Sequence, residues 1–557
     1  MTNQFPPRRK KSFCNLFLQV TACLALSASG LSAATYYWDA TPDGSATLEY
    51  GSGTFSSSSA NWWNGTNAYS GWTNSTADTA SIGGTPAVKS YTGGTTAPAF
   101  TLTLGEAITI GQLVQSGVLN SGNATTISDG GNSANTISFG GSSNVGNNSA
   151  TSTLIIDAKI VAAGGSGLGK LNGGTVIFLQ NNTYTGGTTL SGQSGTAGGM
   201  LQIGNGGTSG SLGTGNLTFS TVAGQTVGST LRYNRSDAVT VANTMSVLSA
   251  NAVGGTLEHS GSNKLTLSGN VTLGTTGSAA TSVLTYKIGD TSQTIDAEVS
   301  GRITGIGSIA KTGAGTMLFS SGSNNYTGTT TVYAGTLLVS GTISASPIFV
   351  GDAANLATSA VLGGGGRVGA LTLGAAAGNT GASIRPGNGQ GTSAGTTLNT
   401  GNFSILAGSG AHLDLQVGRT SAGTSASGDV SDRVSATGSV GVSGDLKLSL
   451  LSSTGYSLAQ NDVVYLLVND SNDAITGTFA TINGTSGTYT EGSTFTFNSM
   501  TWKLTYAANY EGNSFTGGND LAIMAVPEPG TWSLLAIGAI GAAFASRRAR
   551  RKGALVS

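Results

Sequence analysis

The residues that could carry acid–base chemistry are few and scattered along the 557-residue chain. A glycoside hydrolase needs two carboxyl groups close together, one to donate a proton and one to act as base or nucleophile. The closest pairs in sequence are Asp429 with Asp432 and Asp296 with Glu298, in stretches typical of turns or exposed segments. The pattern therefore predicts no catalytic residues.

Other reactive side chains are equally sparse. The two histidines, His259 and His412, are far apart and each lies in strand-like sequence, where a single histidine is more often structural than catalytic. The two cysteines, Cys14 and Cys23, both lie within the first 34 residues. Residues 164–170 spell G-x-x-x-x-G-K without the following Ser or Thr that would hold magnesium. We therefore expect no metal and no cofactor.

One further stretch begins like a metal-binding loop. Asp470-Ser471-Asn472-Asp473 has the first acidic positions of a calcium loop but lacks the later Gly and Glu. We interpret it as a turn.

The most specific signal is a three-part arrangement at the C-terminus. A short Pro-Glu-Pro motif precedes the apolar run Trp532–Ala545, and a basic cluster follows. This arrangement resembles the PEP-CTERM sorting signal. The resemblance implies recognition by an exosortase-type transpeptidase that cuts within the motif, which comprises Val526, Pro527, Glu528 and Pro529. The membrane stop is assigned to the basic tail, comprising Arg547, Arg548, Arg550, Arg551 and Lys552.

The length of the apolar run predicts a weak anchor. As a helix, Trp532–Ala545 would span about 21 Å, against about 30 Å for the hydrocarbon core of a bilayer. We therefore expect a short transmembrane helix that holds the precursor transiently and is then removed. A permanent tail anchor is the alternative.

Residues 1–34 have the form of an export signal. The basic segment Arg8–Lys11 precedes the mainly apolar segment Phe13–Leu26, and small residues end at Ala34. We predict passage through the export translocon and cleavage by signal peptidase after Ala34, which leaves a mature chain without cysteine. Lipoprotein processing at Cys23 is the alternative, since Val20–Cys23 resembles a lipobox.

The charge distribution agrees with export. Lys and Arg clusters at both ends favour the cytoplasmic side, which places the body between them outside. Residues 35–530 carry 15 basic and 24 acidic residues, a net charge of −9. A body of that sign is not expected to bind nucleic acid. The predicted route is an inner-membrane anchored precursor, then the cell surface or the extracellular space.

Two similar segments must build the body between these signals. Gly305–Gly341 contains three short strand-like runs separated by turns, and Gly167–Leu190 repeats the same order. The three runs are Thr316–Phe319, Thr329–Tyr333 and Thr336–Val339. Both resemble the autotransporter-associated β-strand repeat, which implies a right-handed parallel β-helix. The predicted fold is all-β, a parallel β-helix (solenoid) with a β-rich C-terminal part, plus an N-terminal signal helix and a C-terminal transmembrane helix.

Composition and aromatic content complete the predicted layout. With 89 glycines, 9% charged and 38% hydrophobic residues, short strands and tight turns are favoured over disorder, which remains an alternative for the most Gly/Ser-rich patches. Tryptophans concentrate between residues 35 and 72, where a cap over the solenoid end is favoured over a carbohydrate platform. The predicted segments are 1–34 signal peptide, 35–165 cap and first rungs, 166–345 repeat solenoid, 346–525 C-terminal β region and 526–557 sorting signal.

The predicted function follows from the signals and the fold. We expect a non-catalytic, adhesin-like β-solenoid of the cell surface or extracellular matrix, sorted by an exosortase. Exopolysaccharide or cell-surface glycans are the candidate partners. The alternative is a β-helix polysaccharide lyase or glycoside hydrolase, since enzymes of those classes use this fold.

Overall fold

The structure is a computed structural model. It describes residues 33–527 except for 84–88, 92–97, 117–122, 150, 163–166, 192–197, 222–226, 249–253, 275–281, 290, 388–394, 452–455 and 471–472. The predicted signal helix and transmembrane helix lie outside these residues. Among the described residues, no helix has the length and apolar character to cross a membrane.

Short strands make up about half of the described chain, and its single helical turn is the 3₁₀ segment Ala426–Gly428. The strands form four large sheets. In spatial order, sheet 1 contains Tyr69–Ser70, Trp62–Trp63, Thr35–Trp38, Thr79–Ile82, Ile108–Gln115, Ile137–Asn147, Leu168–Leu171, Thr188–Ser191, Leu217–Ser220, Met245–Leu248, Val271–Leu273 and Ile303–Gly305, with Ile160–Ala162 beside Ile137–Asn147.

Sheet 2 runs almost the length of the described body. It contains, in spatial order, Gly53–Phe55, Phe100–Leu104, Ala124–Ser128, Thr153–Asp157, Thr175–Phe178, Met200–Ile203, Thr230–Tyr233, Gly255–His259, Val283–Ile288, Ser308–Thr312, Thr330–Val332, Ile348–Val350, Leu371–Leu373, Phe403–Ile405, Val440–Val442 and Thr476–Gly477. At about 4.8 Å between neighbours, these 16 strands form a stack roughly 70 Å long.

Sheets 3 and 4 form the remaining sides. Sheet 3 contains Val239–Val241, Leu265–Leu267, Ala297–Val299, Thr316–Phe319, Gly335–Val339, Ala360–Gly364, Ala382–Pro386, His412–Val417, Asp445–Leu450, Phe479–Ile482 and Thr485–Tyr489. Sheet 4 contains Thr342–Ile343, Arg367–Val368, Thr397–Thr400, Arg433–Ala436, Val463–Val468, Asp520–Val526, Met500–Ala508 and Thr494–Phe497. A separate parallel pair joins Thr47–Leu48 and Ser90–Tyr91.

The chain winds as a solenoid. Val271–Leu273, Val283–Ile288 and Ala297–Val299 lie on sheets 1, 2 and 3 in turn, and Ile303–Gly305 then returns to sheet 1 beside Val271–Leu273. Neighbouring strands along the stack are parallel, so each coil hydrogen-bonds the coil before and after it. Sheet 1 ends at Gly305 and sheet 4 takes over as a side from Thr342. The predicted all-β solenoid is confirmed.

The core is a set of aliphatic columns inside the coils. One column on sheet 2 consists of register partners that are at most 1% exposed, namely Leu154, Val176, Leu201, Leu231 and Leu257. Alternation in each strand points these side chains inward and the residues between them, often threonine, toward solvent. Burying one such side chain contributes about 1.5–3 kcal/mol before chain entropy is counted.

Residues 345–400 are more regular than their sequence suggests. The sequence pattern Ile384–Asn388 predicts a turn between the solenoid and a C-terminal body. Its first three residues lie instead in the strand Ala382–Pro386, which pairs with Ala360–Gly364. The strand ends at Pro386, which has no N–H to donate, and Gly387 follows with a φ of 77°.

Both ends of the solenoid are closed by antiparallel pairing. At the N-terminal end Thr35–Trp38 pairs antiparallel with Trp62–Trp63. At the C-terminal end Asp520–Val526 pairs antiparallel with both Val463–Val468 and Met500–Ala508. This pairing covers the parallel edge of sheet 1 at one end and of sheet 4 at the other, where further strands could otherwise add.

Candidate functional site

The candidate sorting site begins where the last strand ends. We call Asp520–Val526 the terminal strand; Met524 pairs with Val463 on one side and with Lys503 on the other. Val526, the first residue of the motif, still pairs with Thr501. Glu528, Pro529 and the basic tail lie outside the described residues.

The strand ladder of the body that must survive cleavage ends at Val526, so only the first residue of the motif belongs to that ladder. Pro527 has no N–H to donate, so the ladder cannot continue through it. A cut after Pro527 leaves every hydrogen bond of the terminal strand in place. The signal-cleavage position is arranged similarly, since Ala34 directly precedes the first strand, Thr35–Trp38. Cleavage there remains a prediction.

The carboxylates that the sequence singled out are structural. Asp296, Asp429 and Asp432 were expected in turn-like or exposed segments; they do lie outside the strands, but they are buried, with exposed fractions of 0%, 6% and 4%. Asp296 accepts the N–H groups of Gln293 and Thr316. Buried carboxylates must find donors, and the donors here are mainly backbone amides.

The carboxylates of Asp429 and Glu298 also accept hydrogen bonds from neighbouring groups of the protein. Asp429 accepts from the N–H groups of Ser431 and Tyr465, and its Oδ2 lies 3.3 Å from Arg433. Glu298 accepts from Lys264 and Ser320, and these two hydrogen bonds lower its pKa. Both side chains therefore bind groups of the protein itself.

A polar cleft on sheet 3 brings carboxylates together that the sequence did not pair. Asp414, Asp432 and Arg385 line a cavity of about 160 Å³. Burial, opposed by the N–H groups of Thr396 and Gln416 and reinforced by the Asp414 charge, raises the pKa of Asp432. Arg385 pairs with Asp414 at 2.8 Å. The cavity is smaller than the 300–1,000 Å³ typical of ligand sites.

The histidines lie in strands, as the sequence predicted. His259 ends Gly255–His259 and its Nε2 lies 2.7 Å from the backbone oxygen of Asn263. His412 begins His412–Val417, with Nδ1 3.3 Å from Asp445. Burial lowers the pKa of His412, and Lys447 adds to that shift. The two rings lie on different sheets and form no joint site.

The tryptophan-rich segment is packed inward. Trp38, Trp62, Trp63 and Trp72 are at most 2% exposed. Trp62 packs edge-on against Trp38 and Trp72, with ring centroids 5.4 and 5.1 Å apart. Buried indoles offer no face to a sugar, so this burial favours the cap interpretation over the carbohydrate platform.

Two buried lysines are the functional residues that sequence reasoning missed. Lys170 and Lys311 are 0% exposed. The Nζ of Lys311 donates to the carbonyl oxygens of Thr312, Gly313 and Ala334 at 2.9, 2.9 and 3.0 Å. It thus ties the turn of its own coil to Ala334, which immediately precedes the next strand of sheet 3.

Lys170 has the equivalent place in the first repeat. Its Nζ donates to the carbonyl oxygens of Asn172 and Gly174. A Cβ on Gly199 of the next coil would lie 1.7 Å from that Nζ and 2.1 Å from the backbone oxygen of Asn172, so only glycine fits there. Burial lowers the pKa of each lysine to about 7. The shared repeat position was the sequence signal for these groups.

The outward column on the C-terminal half of sheet 2 forms an uncharged strip. We call this the outer strip; its members are register partners, namely Thr331, Phe349, Thr372, Ser404, Gly441 and Thr476. Phe349 is 43% exposed, and Tyr333 nearby is 39% exposed. A shallow cavity of about 340 Å³ lies over Thr372, Ser404 and Gly441.

The N-terminal half of the same face is different. There Glu258 pairs with Arg232 at 3.0 Å and with Lys287 at 3.2 Å, so three successive coils carry alternating charges. These charges lie in the outward column next to Thr256, Thr285 and Ala310, which continue the column of the outer strip and are uncharged as well. What sets the outer strip apart is the exposed aromatic ring of Phe349 among its hydroxyls.

Comparisons with known families match the two repeats and the C-terminal signal. The passenger-associated transport repeat matches residues 168–196 and 309–339. The PEP-CTERM protein-sorting motif matches residues 525–551. No curated protein matches the chain. The chain carries a sorting signal that an exosortase-type system recognises, and it is an exported protein destined for the cell surface.

Proposed function

We propose that this exported, exosortase-sorted protein is a non-catalytic, adhesin-like solenoid that binds surface or matrix glycans. In the proposed pathway, signal peptidase cuts after Ala34 and the C-terminal run holds the precursor transiently in the inner membrane. The exosortase then releases the body to the cell surface or extracellular matrix.

The non-catalytic proposal rests on one observation: the carboxylates that the sequence singled out accept hydrogen bonds from the protein itself. Asp296, Asp429 and Asp432 each accept backbone N–H groups inside the fold. A general acid or nucleophile must reach the substrate instead. Among the described residues, no group of three or more His, Cys, Asp or Glu side chains could hold a metal ion.

The glycan part of the proposal is supported by the outer strip. Its members recur at the strand spacing of about 4.8 Å, four of the six carry hydroxyls, and exposed aromatic rings lie at one end. Sugar rings have apolar faces that stack on aromatic side chains and hydroxyl edges that exchange hydrogen bonds. Because the strip is uncharged, we expect it to prefer neutral over acidic polysaccharides.

Purified residues 35–527 should leave polysaccharides intact. We expect no new reducing ends and no unsaturated products after incubation with neutral and acidic polysaccharides. The alternative function, a lyase or glycoside hydrolase, would use the cleft of Asp414 and Asp432. Product release that disappears in Asp414→Asn and Asp432→Asn would establish the enzyme and refute the proposal.

Phe349→Ala should weaken glycan binding while the body stays folded. Loss of one stacking ring is expected to cost about 1 kcal/mol, roughly a fivefold drop in affinity for a neutral polysaccharide. Affinity electrophoresis in polysaccharide-containing gels measures this. Leu450→Ala is the matched control, since Leu450 is equally exposed but lies on sheet 3. Equal retention of both variants would exclude the outer strip as the binding face.

A further inference from the structure

The end of sheet 4 from which the chain leaves the body has a distinct surface. We call it the exit edge, formed by residues 458–461, the turn 497–501 and residues 526–527. Val526 pairs with Thr501, and the N–H of Asn461 donates to the carbonyl oxygen of Ala525 at 2.7 Å. The turn is tight, since Asn498 and Ser499 have φ values of 50° and 57°.

The exit edge is uncharged, whereas the opposite end of the same strands is acidic. Residues 458–461, 497–501 and 526–527 contain no Asp, Glu, Lys or Arg. At the other end, Asp473, Glu511 and Asp520 line a cavity of about 390 Å³. Asp520 and Val526 are the two ends of one strand, so the two surfaces lie roughly 20 Å apart.

The distance from this edge to the apolar run is short. Five residue steps separate Pro527 from Trp532, and a chain of that length reaches at most about 17 Å. Tryptophan favours the membrane interface, and each headgroup layer is roughly 5–8 Å thick. With Trp532–Ala545 inserted, the exit edge cannot lie more than roughly 10 Å beyond the headgroups.

We propose that the exit edge is a membrane-facing surface that lies against lipid headgroups while the precursor is anchored. This inference rests on the transient anchoring in the proposed function. The edge presents exposed polar groups such as Asn498 and Gln460 together with half-buried Met500 and Phe497, a mixture suited to the headgroup region. The acidic end of the strands points away from the bilayer.

A pair of cysteine variants tests the proposal in the chain from residue 35 to 557, which contains no other cysteine. Ser499→Cys reports on the exit edge and Thr516→Cys, in the loop before the terminal strand, on the opposite end. Both positions are exposed. Each variant carries an environment-sensitive fluorophore and is reconstituted into phosphatidylcholine vesicles containing headgroup-level quencher lipids.

We expect several-fold stronger quenching at Ser499→Cys than at Thr516→Cys. Equal quenching in protein that floats with the vesicles would overturn the membrane-facing surface while the anchor stands; the edge would then be free to contact the sorting enzyme. Failure of the chain to float would overturn the anchor and the inference together. A chain ending at Pro527 should neither float nor show the difference.

Discussion

Replacing Pro527, Glu528 and Pro529 with alanine should abolish processing. The exosortase reads the motif directly after the terminal strand, and these substitutions remove its recognition features without touching the ladder that ends at Val526. Mass spectrometry of fractionated cells should find the wild-type body ending near Pro527–Pro529. The triple variant should retain Lys552 and stay in the membrane fraction.

A matched control lies at the other end of the same strands. Glu511→Ala changes an exposed carboxylate far from the motif and should be processed like wild type. If wild-type protein from the cell surface still contained Lys552, the C-terminal run would be a permanent tail anchor. Processing of the triple variant at the normal site would show that recognition does not depend on these three residues.

Lys311→Met should lower the free energy of unfolding by about 3 kcal/mol near pH 8, because buried carbonyl groups lose their donor. The oxygens of Thr312, Gly313 and Ala334 all accept from this one Nζ. Urea unfolding measures the loss. Hydrogen exchange should place the loss in the coils around Thr316 and Thr336, since solenoid coils can open locally.

The effect of Lys311→Met should depend on pH. Burial lowers the pKa of Lys311 to about 7 from 10.5, while the nearby Asp296 charge opposes the shift. Between these values the unfolded chain binds more protons than the folded one, so wild-type stability rises with pH. The loss caused by the substitution should therefore be smallest below pH 7 and largest above pH 10, growing by no more than about 5 kcal/mol.

Lys287→Met is the control for both measurements. Its side chain is 51% exposed and pairs with Glu258 at the surface. An exposed ion pair contributes about 0–1 kcal/mol, so we expect little change in unfolding. A loss for Lys311→Met no greater than for Lys287→Met would show that the buried amino group of Lys311 does not hold the coils together.

The strands of the repeats could be predicted because their pattern is local. Thr316–Phe319 was predicted with its observed bounds, and Thr329–Tyr333 is observed as Thr330–Val332. Alternation of apolar and hydroxyl residues fixes which side chains face inward, whatever the rest of the chain does. The sorting signal could also be predicted, since it is defined by the order of a short motif, an apolar run and a basic cluster in the sequence.

Partnerships between distant residues could not be predicted. Asp414 on sheet 3 and Asp432, directly before the following strand on sheet 4, share a cleft with Arg385 of the preceding coil, and Lys311 reaches Ala334 across a coil boundary. The sequence distance between such residues depends on loop lengths, which vary from coil to coil. Burial of the carboxylates was missed for the same reason, since their amide donors come from other strands.

The sequence by itself determined that this protein is an exported solenoid with a processing signal at its end, because those properties depend on local pattern and residue order. Only the tertiary structure decided which side of the solenoid each repeat occupies. The first repeat places Leu168–Leu171 on sheet 1, whereas the second places the equivalent Ser308–Thr312 on sheet 2. The physical reason is that the sheet to which a strand belongs depends on how the preceding coils close against one another. The coils between the two repeats differ in length, and they move the second repeat from sheet 1 to sheet 2.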